Sequence, residues 1–428
     1  MRYCLINPPW SFELSIYFGC REPHLPLEYG YSKALLERAG HEVEIVDGQL
    51  GNLSVEAIRG HVGAFRPDFT VITTAPSYLF WRCAPPELRI PRQIVDAVRG
   101  VSTTIVAVGP HASTTPAVTL RKLKADVAVL GECEEILPQL ASGDWRSVDS
   151  IAYVVNGAPR VQGSPHACDM SALPPLHWPE GTVRRHAHHH HRFDVPPEGP
   201  GAEMETSRGC PYHCTFCAKD NFRNLFRRRP LTVIEEELDG LVAQGVEYVY
   251  FIDEIFLPYQ DVLEAVGRRR IKFGVQTRID LWNEKMIRLL ARAGCVSIEA
   301  GVESITEAGR ARLDKKCRLS TGELTRRLIV AKEQEGIPFV QANLMDSMDD
   351  DPAEVERWRD ELRSHGIWAN KPVPMFPYPG SPDYTMRWGA PDDAAWERAH
   401  DFYLSRFADF SDVQEQRPAP LVQLELAN

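Results

Sequence analysis

Three cysteines just before the midpoint constrain the fold and chemistry of this chain more than any other feature. They lie in the stretch Arg208-Gly209-Cys210-Pro211-Tyr212-His213-Cys214-Thr215-Phe216-Cys217, at the spacing C-x3-C-x2-C. Thiolates are the ligands of iron–sulfur clusters, and three of them hold three irons of a 4Fe-4S cluster while the fourth iron stays open to a substrate or cofactor. The spacing predicts an iron–sulfur loop with Cys210, Cys214 and Cys217 as ligands.

Two other interpretations of these cysteines stay open at this point. A structural zinc ion also binds thiolates and imidazole, and His213 lies inside the loop, but such a site needs a fourth ligand at finger-like spacing. Unpaired buried thiols are the other alternative. We interpret the remaining cysteines as small buried hydrophobic residues, because disulfides are rare in a reducing compartment; they are Cys4, Cys20, Cys83, Cys133, Cys168, Cys295 and Cys317.

The composition is that of an ordinary globular protein. Of 428 residues, 43% are hydrophobic and 25% are charged, which allows two or three domains with their own cores. The net charge of −11 argues against a nucleic-acid-binding surface, which needs a basic face. No apolar run approaches the roughly 18–20 residues that span a bilayer, and residues 1–9 begin a strand rather than a signal peptide. We therefore expect a cytoplasmic protein without membrane or nucleic-acid partners.

Residues 1–150 alternate short apolar strands with amphipathic helices, which predicts an α/β domain with a doubly wound parallel sheet. The predicted strands are residues 3–6, 42–46, 69–73, 104–108 and 127–130. Ligands bind such sheets at the carboxyl ends of the strands, and glycine and small hydroxyl residues there let a large ligand approach the backbone. The candidate ligand-binding residues at these ends are Pro8, Trp10, Thr74, Ser77, Tyr78, Gly109, His111, Gly131 and Glu132.

Residues 151–202 are predicted to be a connector, because a small hairpin is followed by proline and glycine clusters. The connector contains the run His186–His191. A histidine cluster can bind a metal, but contiguous side chains point in different directions and no acidic or cysteine partner is adjacent. A loop that contacts the substrate or a phosphate, and a solvated surface, stay open as alternatives.

The strand–helix alternation resumes over residues 203–390, with predicted strands at 203–206, 248–252, 273–277, 296–300, 339–344 and 371–376. Six βα units are too few for a closed eight-stranded barrel. Polar residues follow these strands, namely Asp253, Glu254, Arg278, Gly301, Glu303 and the turn 377–382. A carboxylate suits an ammonium group, and a guanidinium can pair bidentately with a carboxylate.

Two further segments carry weaker signals. Arg223, Arg227, Arg228 and Arg229 follow the cysteine loop, and we interpret them either as a solvated helix face or as a patch for an anionic substrate. Residues 391–428 contain a predicted helix over 393–407 and no motif, so this extension could cap the barrel or cover the substrate.

The cysteine loop resembles that of the radical S-adenosylmethionine (SAM) superfamily, down to Phe216 before the third cysteine. In that family the open iron chelates the amino and carboxylate groups of SAM, and one-electron reduction cleaves SAM to a 5'-deoxyadenosyl radical. The resemblance implies a partial six-stranded barrel with its chemistry at the carboxyl ends of the strands. It also implies a reductant such as flavodoxin or ferredoxin. Its implied SAM contacts are Phe216, Asp253, Glu254, Arg278, Gly301 and Glu303.

With the first domain in front, the chain resembles the cobalamin-dependent radical SAM enzymes over nearly its whole length. Their fourth and fifth loops carry stretches similar to Gly109-Pro110-His111 and Gly131–Glu135. One departure is that the Asp-x-His-x-x-Gly signature, which supplies a histidine to cobalt in other cobalamin domains, is absent. We therefore expect cobalamin without that ligand, its lower face near Tyr78–Trp81, although ordinary packing is an equal interpretation of these aromatic residues.

The resemblance implies an enzyme that abstracts hydrogen from an unactivated carbon of a small-molecule substrate. Its commonest implied outcome is C-methylation; ring contraction, cyclisation and exchange of oxygen for sulfur are alternatives. The arginine and histidine runs favour a sugar, nucleoside or nucleotide substrate. A second hypothesis is a cobalamin-binding sensor without catalysis, which should lack the cysteine triad and the acidic strand ends that this chain has.

Overall fold

A computed structural model describes residues 1–16, 23–76, 84–179, 181–185, 199–407 and 417–426. Its first unit is built on one sheet with strand order β2-β1-β3-β4-β5-β6-β7. Strands β1 to β5 run parallel, and β6 and β7 extend the edge as an antiparallel hairpin. The strands are β1 (Arg2–Asn7), β2 (Glu42–Asp47), β3 (Phe69–Thr73), β4 (Thr104–Val108), β5 (Val127–Val129), β6 (Ile151–Val155) and β7 (Ala158–Gln162).

Alternate residues of these strands enter two different cores, as a doubly wound sheet requires. Leu5 and Val106 belong to the core on one face, whereas Ile6 and Ile105 belong to the core on the other. The predicted parallel α/β fold is confirmed, and the sheet extends past residue 150 into the segment predicted to be a connector. The helices are α1 (Leu27–Arg38), α2 (Gly48–Gly51), α3 (Val55–Phe65), α4 (Arg89–Val98), α5 (Pro110–Thr114) and α6 (Pro116–Leu123).

The second unit is an open, all-parallel barrel of six strands in the order β15-β14-β13-β12-β11-β8. Its strands are β8 (Gly201–Met204), β11 (Tyr248–Phe251), β12 (Lys272–Thr277), β13 (Cys295–Glu303), β14 (Phe339–Leu344) and β15 (Trp368–Ala369). The short strands β9 (Ser207–Arg208) and β10 (Arg227–Arg228) form a separate antiparallel pair. The helices of this unit are α7 (Leu231–Ala243), α8 (Gln260–Arg269), α9 (Glu284–Arg292), α10 (Glu307–Arg312), α11 (Thr321–Lys332) and α12 (Pro352–Ser364).

The partial six-stranded barrel is thus confirmed, but the predicted sixth strand over residues 371–376 is wrong. The sixth strand is β15, and beyond it only Val373 forms an isolated bridge, to Met345. Pro372 and Pro374 explain the difference, because proline has no N–H to donate to a strand ladder. The apolar residues Val373, Met375 and Phe376 had suggested a strand.

The C-terminal helices α13 (Pro382–Trp388), α14 (Ala395–Arg406) and α15 (Leu421–Leu426) reach back to the first unit. Trp396 donates to Thr115 Oγ1 at 3.0 Å, and Glu425 accepts from the Leu88 N–H at 2.8 Å. The extension therefore joins the two units. Within the described ranges, none of the helices has the length and apolar character that crossing a bilayer requires.

Candidate active site

The cysteine loop begins at a glycine that no other residue can replace without strain. Gly209 has φ +76°, and a Cβ there would lie 2.1 Å from the Leu225 carbonyl oxygen. Only glycine adopts this conformation freely, and here it also permits close backbone approach. Its N–H donates to Glu254 Oε2 at 2.8 Å, which orients the start of the loop.

The three cysteines that follow are partly buried and close enough to influence one another. Burial raises the pKa of Cys214 to about 11 and the pKa of Cys217 to about 12, and the charges of Cys210 and Cys214 raise the latter further. The loop is held by Thr215, whose N–H donates to the Leu313 carbonyl at 3.0 Å and whose carbonyl accepts from the Asp383 N–H at 2.8 Å. Thiolates that repel one another in a buried loop fit a cationic cluster that binds all three. Phe216 lies half-buried among them.

Arg278 lies beside this loop with one nitrogen still available. Its guanidinium pairs bidentately with Asp280, at 3.1 and 2.7 Å, and lies 4.0 Å from the centre of the Tyr212 ring. Its Nη1 is buried and has no hydrogen-bond partner among the described residues. A buried donor of this kind fits a carboxylate, as the predicted contact with the SAM carboxylate requires.

Glu303 supplies a matching acceptor at the end of β13. It stands at φ +64° beside a bulge, and its Oε1 pairs with Lys315 Nζ at 3.0 Å. Its Oε2 is buried without a partner in the described part of the chain, and a Cβ on Gly301 would lie 2.7 Å from Oε1. Lys315, which the sequence analysis missed, acts on Cys214: burial raises the pKa of that thiol and Lys315 opposes the rise. Arg278 and Glu303 thus fit the opposite charges of the SAM zwitterion.

Asp253 and Glu254, predicted to bind the SAM ammonium group, already accept other hydrogen bonds. Asp253 accepts from the Thr206 N–H at 3.0 Å, from Thr206 Oγ1 at 2.7 Å and from the Ser207 hydroxyl. Burial raises the pKa of Asp253 to about 6. Glu254 binds Gly209 and lies 3.3 Å from Arg223 Nη1. Both carboxylates therefore support the approach to the cysteine loop, and Glu303 is the acceptor that stays open.

In the first unit the predicted ligand-binding loops are joined at the carboxyl edge of the sheet. Ser113 Oγ donates to the Gly109 carbonyl at 2.9 Å and accepts from the Gly131 N–H at 2.9 Å. Gly131 has φ +81°, and a Cβ there would lie 2.3 Å from the His166 carbonyl oxygen. Thr74 Oγ1 donates to the Val108 carbonyl at 3.0 Å. The third, fourth and fifth strand ends therefore form one connected edge, which suits a large ligand.

The remaining predicted cobalamin contacts differ in how far the structure describes them. Trp10 Nε1 donates to Asn7 Oδ1 at 2.9 Å, and Pro8 is buried. Ser77, Tyr78 and Leu79–Trp81 lie outside the described residues, as does the run His186–His191.

His111 has a packing role that the sequence did not predict. Its ring stacks on Trp396 at 3.8 Å between centroids, and its Nε2 donates to the Pro85 carbonyl at 2.8 Å. Burial lowers the pKa of His111 to about 3, so the ring is neutral. It connects the fourth loop of the first unit to helix α14.

Three of the four arginines after the cysteine loop are too buried to form a solvated face, and the exposed Arg228 pairs with Asp261 at 2.9 Å. Arg223 and Arg227 join Arg208 in an interdomain ion-pair cluster, which we define as Arg208, Arg223, Arg227, Glu132, Glu134 and Glu205. Arg229 pairs instead with Glu237, at 2.8 Å. Glu132, predicted to bind cofactor, is fully buried and pairs with Arg227 Nη2 at 2.6 Å and with Arg208 Nη1 at 3.3 Å. Glu132 also lies 3.5 Å from Arg223 Nε and accepts from the Cys168 N–H at 2.7 Å.

This cluster connects the fifth loop of the first unit to the barrel. Arg208 Nη1 pairs with Glu134 at 2.7 Å and Arg208 Nη2 pairs with Glu205 at 2.7 Å. Burial disfavours the charged form of Glu132, but the guanidinium groups outweigh burial and hold its pKa well below the usual range. Glu132 therefore has a structural role in domain docking.

Comparisons with known proteins agree with the two units described. The B12 binding domain family matches residues 21–141, and the radical SAM superfamily matches residues 204–356. The chain is 26% identical over 325 residues to an uncharacterised methyltransferase of Pyrococcus horikoshii, covering 71% of this chain and 66% of the relative. It is 24% identical over 357 residues to the anaerobic magnesium-protoporphyrin IX monomethyl ester cyclase of Rubrivivax gelatinosus, covering 77% and 60%. The chain thus spans less than two thirds of the length of these relatives.

Two solved structures share the fold. The radical SAM methyltransferase TsrM of Kitasatospora setae, with cobalamin and a [4Fe-4S] cluster bound, matches with a TM-score of 0.72 at 18% identity, over 89% of this chain and 76% of that one. OxsB, a cobalamin-dependent SAM radical enzyme, matches with a TM-score of 0.67 at 16% identity, over 94% and 66%. The cofactors of these two domains are a 4Fe-4S cluster, SAM and cobalamin, which favours the iron–sulfur interpretation of the cysteines over zinc. This chain therefore contains a B12 binding domain in front of a radical SAM domain, which is the domain order of the cobalamin-dependent radical SAM type.

Proposed function

We propose that this protein is a methyltransferase that places a methyl group on an unactivated carbon of a small-molecule substrate. The observation that carries the proposal is the cysteine loop flanked by Arg278 Nη1 and Glu303 Oε2, next to a docked B12 binding domain. When bound, SAM would supply the radical that removes a hydrogen atom, and cobalamin would supply the methyl group. A one-electron reductant such as flavodoxin or ferredoxin is required as a partner.

The residues of this chain would orient these groups. Arg278 would hold the carboxylate of SAM, and Glu303, itself set by Lys315, would hold its ammonium or ribose hydroxyl groups. Asp253 and Glu254 would keep the cysteine loop in place through Thr206, Ser207 and Gly209. The relative from Pyrococcus horikoshii that is named as a methyltransferase supports methyl transfer, whereas the relative named as a cyclase supports ring formation without methylation as the second candidate.

The experiment uses the anaerobically reconstituted protein with cobalamin, a reductant and SAM that carries a deuterated methyl group. Metabolite extract from a host that lacks the gene provides the substrate, and products are followed by mass spectrometry. We expect one extract component to gain a labelled methyl group, together with 5'-deoxyadenosine and S-adenosylhomocysteine. If an extract component changes mass without gaining the label, and 5'-deoxyadenosine forms without S-adenosylhomocysteine, the reaction is ring formation rather than methylation. SAM left intact would favour a cobalamin sensor.

A further inference from the structure

Three side chains of the kinds that bind metals meet beside the fifth loop of the first unit, outside the cysteine loop. Glu135 ends that fifth loop, and His166 and Cys168 lie on the segment that follows β7. The Glu135 carboxylate, the His166 ring and the Cys168 thiol each offer one ligand atom, and these three atoms all lie within 4.8 Å of one another. We call these three residues the Glu-His-Cys site.

Backbone hydrogen bonds hold the two segments of the site together. The His166 N–H donates to the Leu130 carbonyl at 2.9 Å, and the His166 carbonyl accepts from the Glu132 N–H at 3.0 Å. The Cys168 N–H donates to Glu132 Oε2 at 2.7 Å. The segment that carries two of the ligands is therefore bonded along the loop that carries the third, and such preorganisation lowers the cost of binding.

The mixture of ligand atoms narrows the choice of metal. A thiolate and an imidazole suit zinc, whereas magnesium and calcium take oxygen ligands. Zinc lies about 2.0–2.3 Å from such ligands, which places neighbouring ligand atoms of a tetrahedral site about 3.3–3.8 Å apart. His166 Nε2 and Glu135 Oε2 lie 2.7 Å apart. Side-chain movements of about 1 Å therefore bring the three atoms to zinc geometry.

The thiol of this site lies among carboxylates. Cys168 is fully buried, and its Sγ donates to Glu134 Oε2 at 3.4 Å. Burial raises the pKa of this thiol well above its ordinary value, and the charges of Glu134, Glu132 and Glu135 raise it further, whereas Arg208 opposes them. A divalent cation reverses this balance, because its charge favours the thiolate and releases the thiol proton to solvent.

The arginines nearby are already paired. The interdomain ion-pair cluster beside the site contains three arginines and three glutamates, so its charges balance within the cluster. Glu135 is a further carboxylate outside that cluster, and its described partners are the His166 ring at 2.7 Å and the Asp169 N–H at 3.4 Å. Glu135 and His166 are also partly exposed, so an ion and a bound water can reach them from solvent. Charge and access both suit a cation.

We propose that Glu135, His166 and Cys168 bind a zinc ion, with water in the fourth position, and that this ion strengthens the docking of the two units. Cys168 lies between the site and the interdomain ion-pair cluster, because its carbonyl accepts from Arg227 Nη1 at 2.6 Å and its N–H donates to Glu132. An ion that fixes Cys168 therefore also fixes two members of that cluster. The zinc site is separate from the cysteine loop and does not depend on the proposed function.

The experiment must distinguish this zinc from zinc on the cysteine loop, so it uses the full-length protein loaded with its 4Fe-4S cluster. Zinc is added anaerobically, the excess is removed by gel filtration, and iron and zinc are measured in the same sample. We expect about one zinc per chain, and X-ray absorption at the zinc edge should show one sulfur neighbour at about 2.3 Å and nitrogen or oxygen neighbours at about 2.0–2.2 Å. Magnesium offered in place of zinc should not be retained.

Cys168→Ser should remove the sulfur neighbour, and Cys168→Ser, His166→Ala and Glu135→Gln should each weaken zinc binding about tenfold or more. Zinc should raise the thermal unfolding midpoint of the parent protein and leave that of Cys168→Ser unchanged. The matched controls are Cys317→Ser, at a partly buried cysteine outside the site, and His177→Ala, at an exposed histidine paired with Glu236. Both controls should bind zinc like the parent protein.

Three results would overturn the zinc site. They are a cluster-loaded parent protein that retains no zinc, two or more sulfur neighbours around the zinc, which would place it on the cysteine loop, and unchanged zinc binding in Cys168→Ser and His166→Ala. Glu135 and His166 would then be an ordinary ion pair. Zinc that binds as expected without raising the unfolding midpoint would overturn its role in docking.

Discussion

The interdomain ion-pair cluster and the cysteine loop are both buried and both rich in charge, yet they differ in how those charges are matched. In the cluster, Glu132 is surrounded by the guanidinium groups of Arg208 and Arg227. Beside the cysteine loop, Arg278 Nη1 and Glu303 Oε2 have no partner in the described ranges. Burial with each charge in an ion pair indicates a role in docking the two units, whereas burial with an atom that has neither a hydrogen bond nor an ion pair indicates a place for a ligand.

The sharpest test of this difference is removal of a cysteine, which should abolish the site and spare the docked units. Cys214→Ala should lose the SAM-cleaving cluster, with iron content well below about four per chain and no 5'-deoxyadenosine formed. Iron analysis measures the cluster content, and chromatography measures the 5'-deoxyadenosine formed. Cys317→Ala, outside the loop, is the control. Normal iron and SAM cleavage in the Cys214 variant would contradict the ligand assignment.

Removal of one carboxylate from the interdomain ion-pair cluster should weaken the docking of the two units and leave the cysteine ligands in place. Glu132→Ala leaves buried guanidinium groups uncompensated, which costs about 3–5 kcal/mol of the free energy of unfolding. Denaturant titration measures this loss. Glu42→Ala breaks an exposed pair with Arg2 and should cost about 1 kcal/mol or less. Equal losses in the two variants would show that docking does not depend on Glu132.

Arg278→Gln should weaken SAM binding, and it should also lower stability, because it leaves the buried Asp280 without its guanidinium partner. Loss of a charge-assisted hydrogen bond of about 1.5–3 kcal/mol weakens SAM binding by about one to two decades. Calorimetry on the cluster-loaded protein measures the affinity. Arg269 makes a similar bidentate pair with Asp239, remote from the loop, so Arg269→Gln is the control. An unchanged SAM affinity with loss of substrate binding would move Arg278 to the substrate site.

Two buried carboxylates should respond to pH in opposite directions. Asp253 faces neutral donors, and burial raises its pKa to about 6; its stabilising contribution is present below pH ~4 and falls as the pH rises through about 6. Glu132 has a lowered pKa, so its contribution is present above pH ~4.5 and falls as the pH drops.

Relative to Asp253→Asn, the parent protein should therefore lose stability between pH ~4 and ~7. Unfolding free energies across this range measure the effect. Asp239→Asn is the control, because a hydrogen bond from Arg269 lowers the pKa of Asp239 and makes its contribution flat above pH ~5. Parallel curves for the parent protein and Asp253→Asn would show that this carboxylate ionises normally.

The smallest expected effect concerns His111. Since its ring is neutral, stacked on Trp396 and bonded to Pro85, we expect no protein imidazole from it on cobalt. Electron paramagnetic resonance of the Co(II) state should show no superhyperfine splitting from a protein nitrogen, in the parent protein and in His111→Phe alike. A splitting that disappears in the variant would overturn this expectation.

Much of this molecule could be predicted from local sequence. The strands of the first unit follow from uninterrupted apolar runs, and the cysteine spacing predicted the iron–sulfur loop. The arginines after that loop were misinterpreted because Glu132, which pairs with both Arg223 and Arg227, lies in the other unit, 95 residues before Arg227. Burial of a long charged side chain depends on such partners, so no local pattern reveals it. The carboxylates Glu132 and Glu134, which follow the fifth strand, were the one sequence signal that could have indicated partners for these arginines.

The open atoms of the site were hidden for a related reason. Asp253 and Glu303 both lie at the ends of barrel strands. Only the tertiary structure shows that Asp253 already accepts hydrogen bonds from Thr206 and Ser207. Lys315 was missed because it follows helix α10 and belongs to no motif. Its relevance comes from packing of the segment 313–315 against Thr215.

A single residue, Gly209, separates the guanidinium that docks the two units from the first thiol of the cysteine loop. The B12 binding domain therefore fixes the position of Arg208. Because Arg208 and Cys210 belong to one short backbone segment, the position of Cys210 is constrained as well. Coupling between two sites is reciprocal, so docking should favour insertion of the cluster, and insertion should tighten docking. In terms of biogenesis, docking of the first unit and uptake of iron and sulfide should therefore promote each other during maturation.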